Sequence, residues 1–259
     1  MANEIIITYV YHSCYTVEIG DYFIIFDYYK GMLNIPEDKH VIFVATHAHD
    51  DHYTEEILKV PNMEDKTYIL SSDIGKLPSN DNVIYIKDDK LSMDMLKSLY
   101  NSDNVHFVNP NNSYKIKLDR GKGLNIKTFG STDQGISLLI SVDGIKIFHS
   151  GDLNYWAWPD NDKATDKDEY ESFIREINKI KLENIDIGFF PVDPRLGENY
   201  YKGADIFIRE CKPQVFFPLH FADEEEATQK FYKSYKYDFT SVRPIFEKNQ
   251  KTIIEIEKR

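Results

Sequence analysis

Residues 46–52 read Thr46-His47-Ala48-His49-Asp50-Asp51-His52. Four side chains able to ligate a metal, His47, His49, Asp51 and His52, fall within six residues, and three of them are imidazoles. His47 and His49 stand two apart, so an extended or tightly turning backbone points both the same way. Asp51 and His52 can then wrap round to a second position. Two further segments end in ligand types. Ile147-Phe148-His149-Ser150-Gly151-Asp152 closes an apolar run with a glycine and an acid, and Phe216-Phe217-Pro218-Leu219-His220 closes another with a histidine. Imidazole with carboxylate suits Zn²⁺, Fe or Mn²⁺. The predicted chemistry is that of one or two divalent ions shared among several strand ends.

Those ends need strands beneath them. Residues 41–45 form a short apolar run ending in a polar loop, which predicts a buried strand directly before the histidine cluster. Strands are also predicted over 4–11, 14–19, 22–27, 67–71 and 83–86, with Gly20-Asp21 marking a tight turn. Residues 89–100 read as a short helix. Runs at 112–118, 124–129, 136–142 and 145–149, joined by turns such as Asp143-Gly144, read as an antiparallel meander. Beyond them helix and strand alternate. A helix opens at Thr165 as N-cap and carries Tyr170, Phe173, Ile174, Ile177 and Ile180 at helical spacing. A strand is predicted at 185–192, a helix at 204–211 stopping before Pro213, a strand at 214–219, a helix at 224–235 and a last strand at 252–256. No linker, repeat or low-complexity run interrupts the chain, which predicts one domain over residues 1–259. A strand-rich half followed by a mixed half predicts helices packed outside two sheets.

Composition narrows the partners. Of 259 residues, 42% are hydrophobic, a globular balance. Lys+Arg 31 against Asp+Glu 43 leaves a net charge of −12, which repels phosphate backbones and argues against a dedicated nucleic-acid binder. No apolar run is long enough to span a membrane. The opening residues lack the basic region of a secretory signal, and two cysteines, Cys14 and Cys211, are too few for a disulfide framework. A cytoplasmic location and a small-molecule substrate are the expectations; the oligomeric state is left open.

His47-Ala48-His49-Asp50-Asp51-His52 resembles the H-x-H-x-D-H signature of the metallo-β-lactamase-fold superfamily. Ser150-Gly151-Asp152 resembles its bridging-aspartate motif, Pro218-Leu219-His220 its last histidine motif, and Ile25-Phe26-Asp27 its early strand-end aspartate. With Val10-Tyr11-His12-Ser13, the pattern is closest to lactonase-like and phosphodiesterase-like members. The resemblance implies an α/β fold, a four-layer αβ/βα sandwich of two mixed β-sheets flanked by helices. It implies that His47 and His49 hold a first metal, that Asp51, His52 and His220 hold a second, and that Asp152 bridges them. A metal-held hydroxide would attack an ester, lactone, amide or phosphodiester, with Asp51 and His12 in the catalytic roles. Asp27 would support the metal loop.

One departure stands out. The superfamily usually supplies another histidine to the first metal, but here the corresponding loop reads Ser131-Thr132-Asp133-Gln134-Gly135. Asp133 as substitute would harden the site and favour Mn²⁺ or Fe over Zn²⁺. A non-catalytic metal-binding or sensing protein with an incomplete first site is the alternative, and an RNA-processing nuclease of the same fold a further one. Around the site, His149 is expected to tie strand ends together and Asp193 to brace a ligand histidine. Tyr155, Trp156 and Trp158 are expected to wall a substrate pocket, and Arg195 to meet an anionic group. His106 reads as structural.

Overall fold

The computed structural model describes residues 3–62, 65–75, 93–118 and 123–256. The first sheet is built from β1 (Asn3–Tyr11), β2 (Cys14–Ile19), β3 (Tyr22–Phe26), β4 (His40–Ala45), β5 (Thr67–Ser71) and β6 (Val105–Val108), with β14 (Lys251–Ile256) on its far edge. Its order is β14-β1-β2-β3-β4-β5-β6. The second contains β7 (Ser113–Lys117), β8 (Gly123–Phe129), β9 (Ser137–Val142), β10 (Ile145–His149), β11 (Ile187–Pro191), β12 (Val215–Leu219) and β13 (Ser241–Val242), in the order β13-β12-β11-β10-β9-β8-β7. Each sheet is antiparallel at one side and parallel at the other: β3, β4, β5 and β6 run parallel, as do β10, β11, β12 and β13.

Residue patterns follow from this arrangement. β11 and β12 are buried at every position, because a parallel strand in mid-sheet is covered on both faces. β8 alternates exposed and buried residues over most of its length, because one face meets water. The core between the sheets gathers Ile5, Tyr9, Tyr15, Ile24, Phe26 and Ile42 from the first and Ile126, Ile140, Ile147, Phe189 and Phe217 from the second. Each such fully buried side chain contributes about 1.5–3 kcal/mol of apolar transfer.

Helices cover the outer faces. α1 (Met93–Tyr100) and a short 3-10 helix (Glu55–Lys59) lie against the first sheet, where Ile57, Leu58 and Tyr100 meet Phe43, Tyr68 and Leu70. α2 (Lys163–Ile180), α3 (Lys202–Cys211) and α4 (Glu225–Ser234) cover the second, packing Phe173, Ile177, Phe207, Ile208 and Phe231 against Phe148, Phe190 and Phe216. Among the described residues the layers are thus αβ/βα, two seven-stranded mixed sheets with flanking helices. The strand predicted at 83–86 lies outside the described residues. No helix among the described residues is long and apolar enough to cross a membrane.

The topology aligns strand polarity with position. β1, β3, β4 and β5 all point their C-terminal ends to one rim of the first sheet, and β8, β10, β11 and β12 do the same in the second. The two rims are joined directly. The Tyr15 hydroxyl donates to the Pro218 carbonyl, Ile136 N–H donates to Thr46 O at 3.0 Å, and His220 N–H donates to His12 O at 3.1 Å.

One boundary differs from the sequence expectation. α2 is capped by Asp162, not Thr165: its carboxylate accepts from Ala164 N–H at 3.0 Å and Thr165 N–H at 2.8 Å. Asp satisfies two orphan amides and also opposes the positive end of the helix dipole, which a hydroxyl does not. Asp162→Ala is therefore expected to lower the melting temperature by about 2 °C, while Thr165→Ala, exposed inside the first turn, leaves it unchanged within error. Thermal unfolding of both variants by circular dichroism separates the two assignments.

Candidate metal centre

Asp27 follows β3 in the left-handed region, at φ +45°, and its N–H donates to Val44 O at 2.8 Å. The turn aims a fully buried carboxylate at the loop after β4. Asp27 accepts from Thr46 N–H at 2.8 Å, from the Thr46 hydroxyl at 2.7 Å and from His52 Nδ1 at 2.8 Å. The loop itself tightens into a single turn, with His52 and Tyr53 N–H both donating to His49 O at 3.0 Å. This winds His52 back beside His47, ring centroids 4.1 Å apart.

The hydrogen bonds select the imidazole tautomers. The Thr46 hydroxyl gives its only proton to Asp27, so at His47 Nδ1, 3.0 Å away, it accepts; His47 Nε2 keeps its lone pair, 3.0 Å from His49 Nδ1. His52 donates Nδ1–H to Asp27. His220 Nδ1 lies 2.9 Å from Asp193 Oδ2 and 3.1 Å from Arg195 Nη2; because that Nη2 already donates to Asp193 at 2.6 Å, the Nδ1 proton goes to the carboxylate, and both Nε2 atoms keep their lone pairs. All three Nε2 atoms point at Asp152: His52 at 3.0 Å and His220 at 3.3 Å from Oδ1, His47 at 3.5 Å from Oδ2. His12 differs. Its Nδ1 accepts from Ala222 N–H at 3.1 Å, so Nε2 carries the proton, and it faces Asp51 Oδ2 at 3.3 Å.

This arrangement fits a cation. His52 Nε2, His220 Nε2 and Asp152 Oδ1 are buried and have no hydrogen-bond partner. Acceptors left facing one another in a buried site are costly, and a positive ion relieves all of them at once. Three groups of ligand atoms lie within 4.8 Å of one another: His12, Asp51, His52 and His220; His47, His52 and Asp152; His49, Asp133 and Asp152. Asp133 thus comes within reach of His49 and Asp152. Its loop reaches the centre because Gly135, at φ +73°, presses on the β4 turn; a Cβ there would stand 2.4 Å from His47 Cβ.

Charge is balanced locally. Burial raises the Asp152 carboxyl, but His52, His220 and His47 outweigh it and hold it well below its usual range. Burial lowers His52 and His220, but with no ion beside them the carboxylates outweigh it and raise both, so a proton competes with a metal ion for each Nε2. The His12 ring, ahead of opposing burial, keeps Asp51 ionised, while burial pushes His12 down to about 4. His12 is thus a neutral donor at pH 7, not an imidazolium acid.

The surrounding residues divide. His149 puts Nε2 3.1 Å from Ser13 O, accepts Gly151 N–H at Nδ1 and stacks on Phe26, joining the two rims. Asp193 holds His220 and Arg195 together; Arg195 reaches it through Nε at 3.0 Å and Nη2 at 2.6 Å, so its charge is met within the protein. Trp156, Trp158 and Arg195 line a cavity of about 390 Å³ over the ligand cluster. Tyr155 does not line it. Its neighbour Trp156 turns into the cavity, whereas Tyr155 turns into the helical layer, stacking on Phe173 and donating to Asp166 at 2.9 Å. Thr132 and Glu169 line the cavity without any motif to announce them. Asp73, equally unmarked in sequence, accepts from Ala48 N–H at 3.0 Å and Gln134 Nε2 at 2.7 Å, clamping the two ligand loops together. His106 lies on β6, paired with Ile69. A larger cavity, about 690 Å³ beside β13, has none of these ligand groups in its lining.

Two outcomes follow from the geometry. Asp27→Asn loses the acceptor for His52 Nδ1 or Thr46 and leaves buried donors unmet, and should cost on the order of 3 kcal/mol by urea unfolding. Slow chelation of metal-loaded protein should empty the position at His49 and Asp133 first, because Asp133 is exposed and His49 half-buried, while His52, Asp152 and His220 are buried. Equal loss from both positions, followed by metal analysis along the titration, would contradict the unequal burial.

The chain's sequence from residue 6 to 167 matches the family model described as beta-lactamase superfamily domain. No curated protein matches it in sequence. Among solved structures it is similar to Igni18, a metallo hydrolase from the archaeon Ignicoccus hospitalis, with a TM-score of 0.60, 19% identity, and 98% of this chain and 100% of that one covered. It is similar to the metallo-beta-lactamase fold protein YhfI from Bacillus subtilis, with a TM-score of 0.56, 11% identity and coverage of 97% and 99%. An isothiocyanate hydrolase from Delia radicum gut bacteria gives 0.54, 11%, and 96% and 99%. At these identities the structures speak to fold alone. The family match spans more than half of the residues and holds His47 to Asp152, while His220 lies beyond it. The chain belongs to the beta-lactamase superfamily and has the metallo-β-lactamase fold.

Proposed function

We propose that the protein is a metal-dependent hydrolase of a small molecule, cleaving an ester, lactone, amide or phosphodiester. The observation that carries this reading is the set of buried, unpartnered Nε2 and carboxylate atoms at the floor of a 390 Å³ cavity. His47, His49, Asp133 and Asp152 would hold one divalent ion, and Asp51, His52, Asp152 and His220 a second. With Asp133 in the donor set, Mn²⁺ or Fe competes with Zn²⁺. Bound there, the metal supplies Lewis acidity and a water of lowered pKa.

The chain's own residues do the rest. Asp27, Asp193 and Thr46 keep three imidazoles in the tautomer that exposes Nε2. His12 holds its Nε2 proton toward Asp51 and so fixes that carboxylate, still ionised, at the cavity wall. Trp156 and Trp158, stacked 5.8 Å apart, supply an apolar side that limits water around the scissile bond. Among the described residues no side chain is placed as nucleophile. Ser150 donates its hydroxyl to Gly151 O, and burial raises both thiols, Cys211 to about 12. Two buried, unpaired thiols are at home in the cytoplasm, where we place the protein.

The test is hydrolysis of a panel of small esters, lactones, amides and phosphodiesters by metal-loaded protein. Asp152→Ala should abolish turnover, His12→Ala should slow it about 10²-fold, and iodoacetamide should leave it intact. Full activity in Asp152→Ala would refute the assignment. Metal uptake with no turnover anywhere in the panel would instead show a metal-binding protein without hydrolytic activity.

A further inference from the structure

Charges around the cavity are unevenly met. Arg195 is neutralised by Asp193, through Nε and Nη2. Glu169, from the second turn of α2, lines the same cavity, and its carboxylate has no hydrogen bond or ion pair among the described residues. The ionisable groups acting on it are Asp133, Asp166 and Asp168, all carboxylates, and with burial they raise its pKa. Two divalent ions would bring four positive charges, and Asp51, Asp133 and Asp152 together with the hydroxide of the proposed reaction would answer all four, so the charge of Glu169 is left unanswered. The indoles of Trp156 and Trp158 line the cavity beside it and lower the local dielectric, which lengthens the reach of that charge.

We infer that the cavity selects substrates carrying an ammonium or other cationic group, with Glu169 as the specificity-determining carboxylate. The inference rests on reading the cavity as the substrate site. The positive group sits against Glu169 while the scissile bond lies over the ligand cluster. A neutral analogue leaves the carboxylate unpaired, and an anionic one meets like charge.

Both tryptophans of the chain line this cavity, so intrinsic fluorescence reports its occupancy without turnover. The probes are choline, which cannot ligate a metal through its quaternary nitrogen, and the uncharged alcohol in which a tert-butyl group replaces the trimethylammonium. Metal-loaded protein should bind choline about tenfold more tightly than the alcohol. Glu169→Gln and Glu169→Ala should both bring that ratio close to one, and added salt should narrow it in the wild type. Equal binding of the two probes, no response to choline, or a preference that survives in both variants would overturn the inference. Hydrolysis that persists alongside equal binding leaves the proposed activity standing and removes only this selectivity. A Glu169-dependent preference for choline in a protein that hydrolyses nothing does the reverse.

Discussion

Asp27 is a carboxylate with no contact with solvent, and the rest of the site is arranged by what that burial requires. A buried carboxylate must be paired and hydrogen-bonded or it unfolds its surroundings. Here the partners are the Thr46 amide, the Thr46 hydroxyl and the His52 ring. Satisfying Asp27 pins the start of the histidine loop to the end of β3. It sets Thr46 as an acceptor for His47 and forces the His52 proton onto Nδ1. Two Nε2 atoms are thereby freed by a residue that ligates nothing itself.

The same logic is repeated across the sandwich. Asp193 does for His220 what Asp27 does for His52, from the end of β11 in the other sheet. Asp152 then receives both free nitrogens. Each of these carboxylates stands at the C-terminal end of a parallel strand, where the backbone leaves the sheet and side chains from neighbouring strands converge. Turning there is conformationally demanding. Asp27, His12 and His220 all hold left-handed φ values, +45°, +56° and +65°, although none is glycine. Such conformations persist only when surrounding bonds over-determine them, and they cluster here, at the rim shared by the two sheets.

Stability and chemistry pull in different directions at this rim. Histidines facing one carboxylate, and left-handed turns at Asp27, His12 and His220, detract from the folded state. The cost is offset by the apolar packing between the sheets and by the helices outside them, where most of the large aromatic residues are buried. The cavity above the ligands inherits the imbalance. Its cation is matched internally by Asp193, and its remaining carboxylate is not, so polarity in the cavity is set by Glu169 and the ligand acids.

The sequence by itself determined which residues can ligate and which strands carry them. His47, His49, Asp51 and His52 are adjacent in the chain, and apolar runs ending in Asp152 and His220 are visible without coordinates, because ligand type and strand period are both local properties. Even there, local reading misplaced the α2 cap at Thr165, since Asp162 wins through a charge that spacing alone does not weigh. Tertiary structure decided the rest. It brought Asp133 to His49, turned Tyr155 into the helical layer and Glu169 into the cavity, and made Asp73 a clamp between loops. It also chose the proton positions of His12, His52 and His220, which differ in the distant group that meets Nδ1: the Ala222 amide, Asp27 and Asp193. These outcomes depend on contacts between residues tens to hundreds of positions apart. Such contacts exist only once the two sheets have closed on their common core.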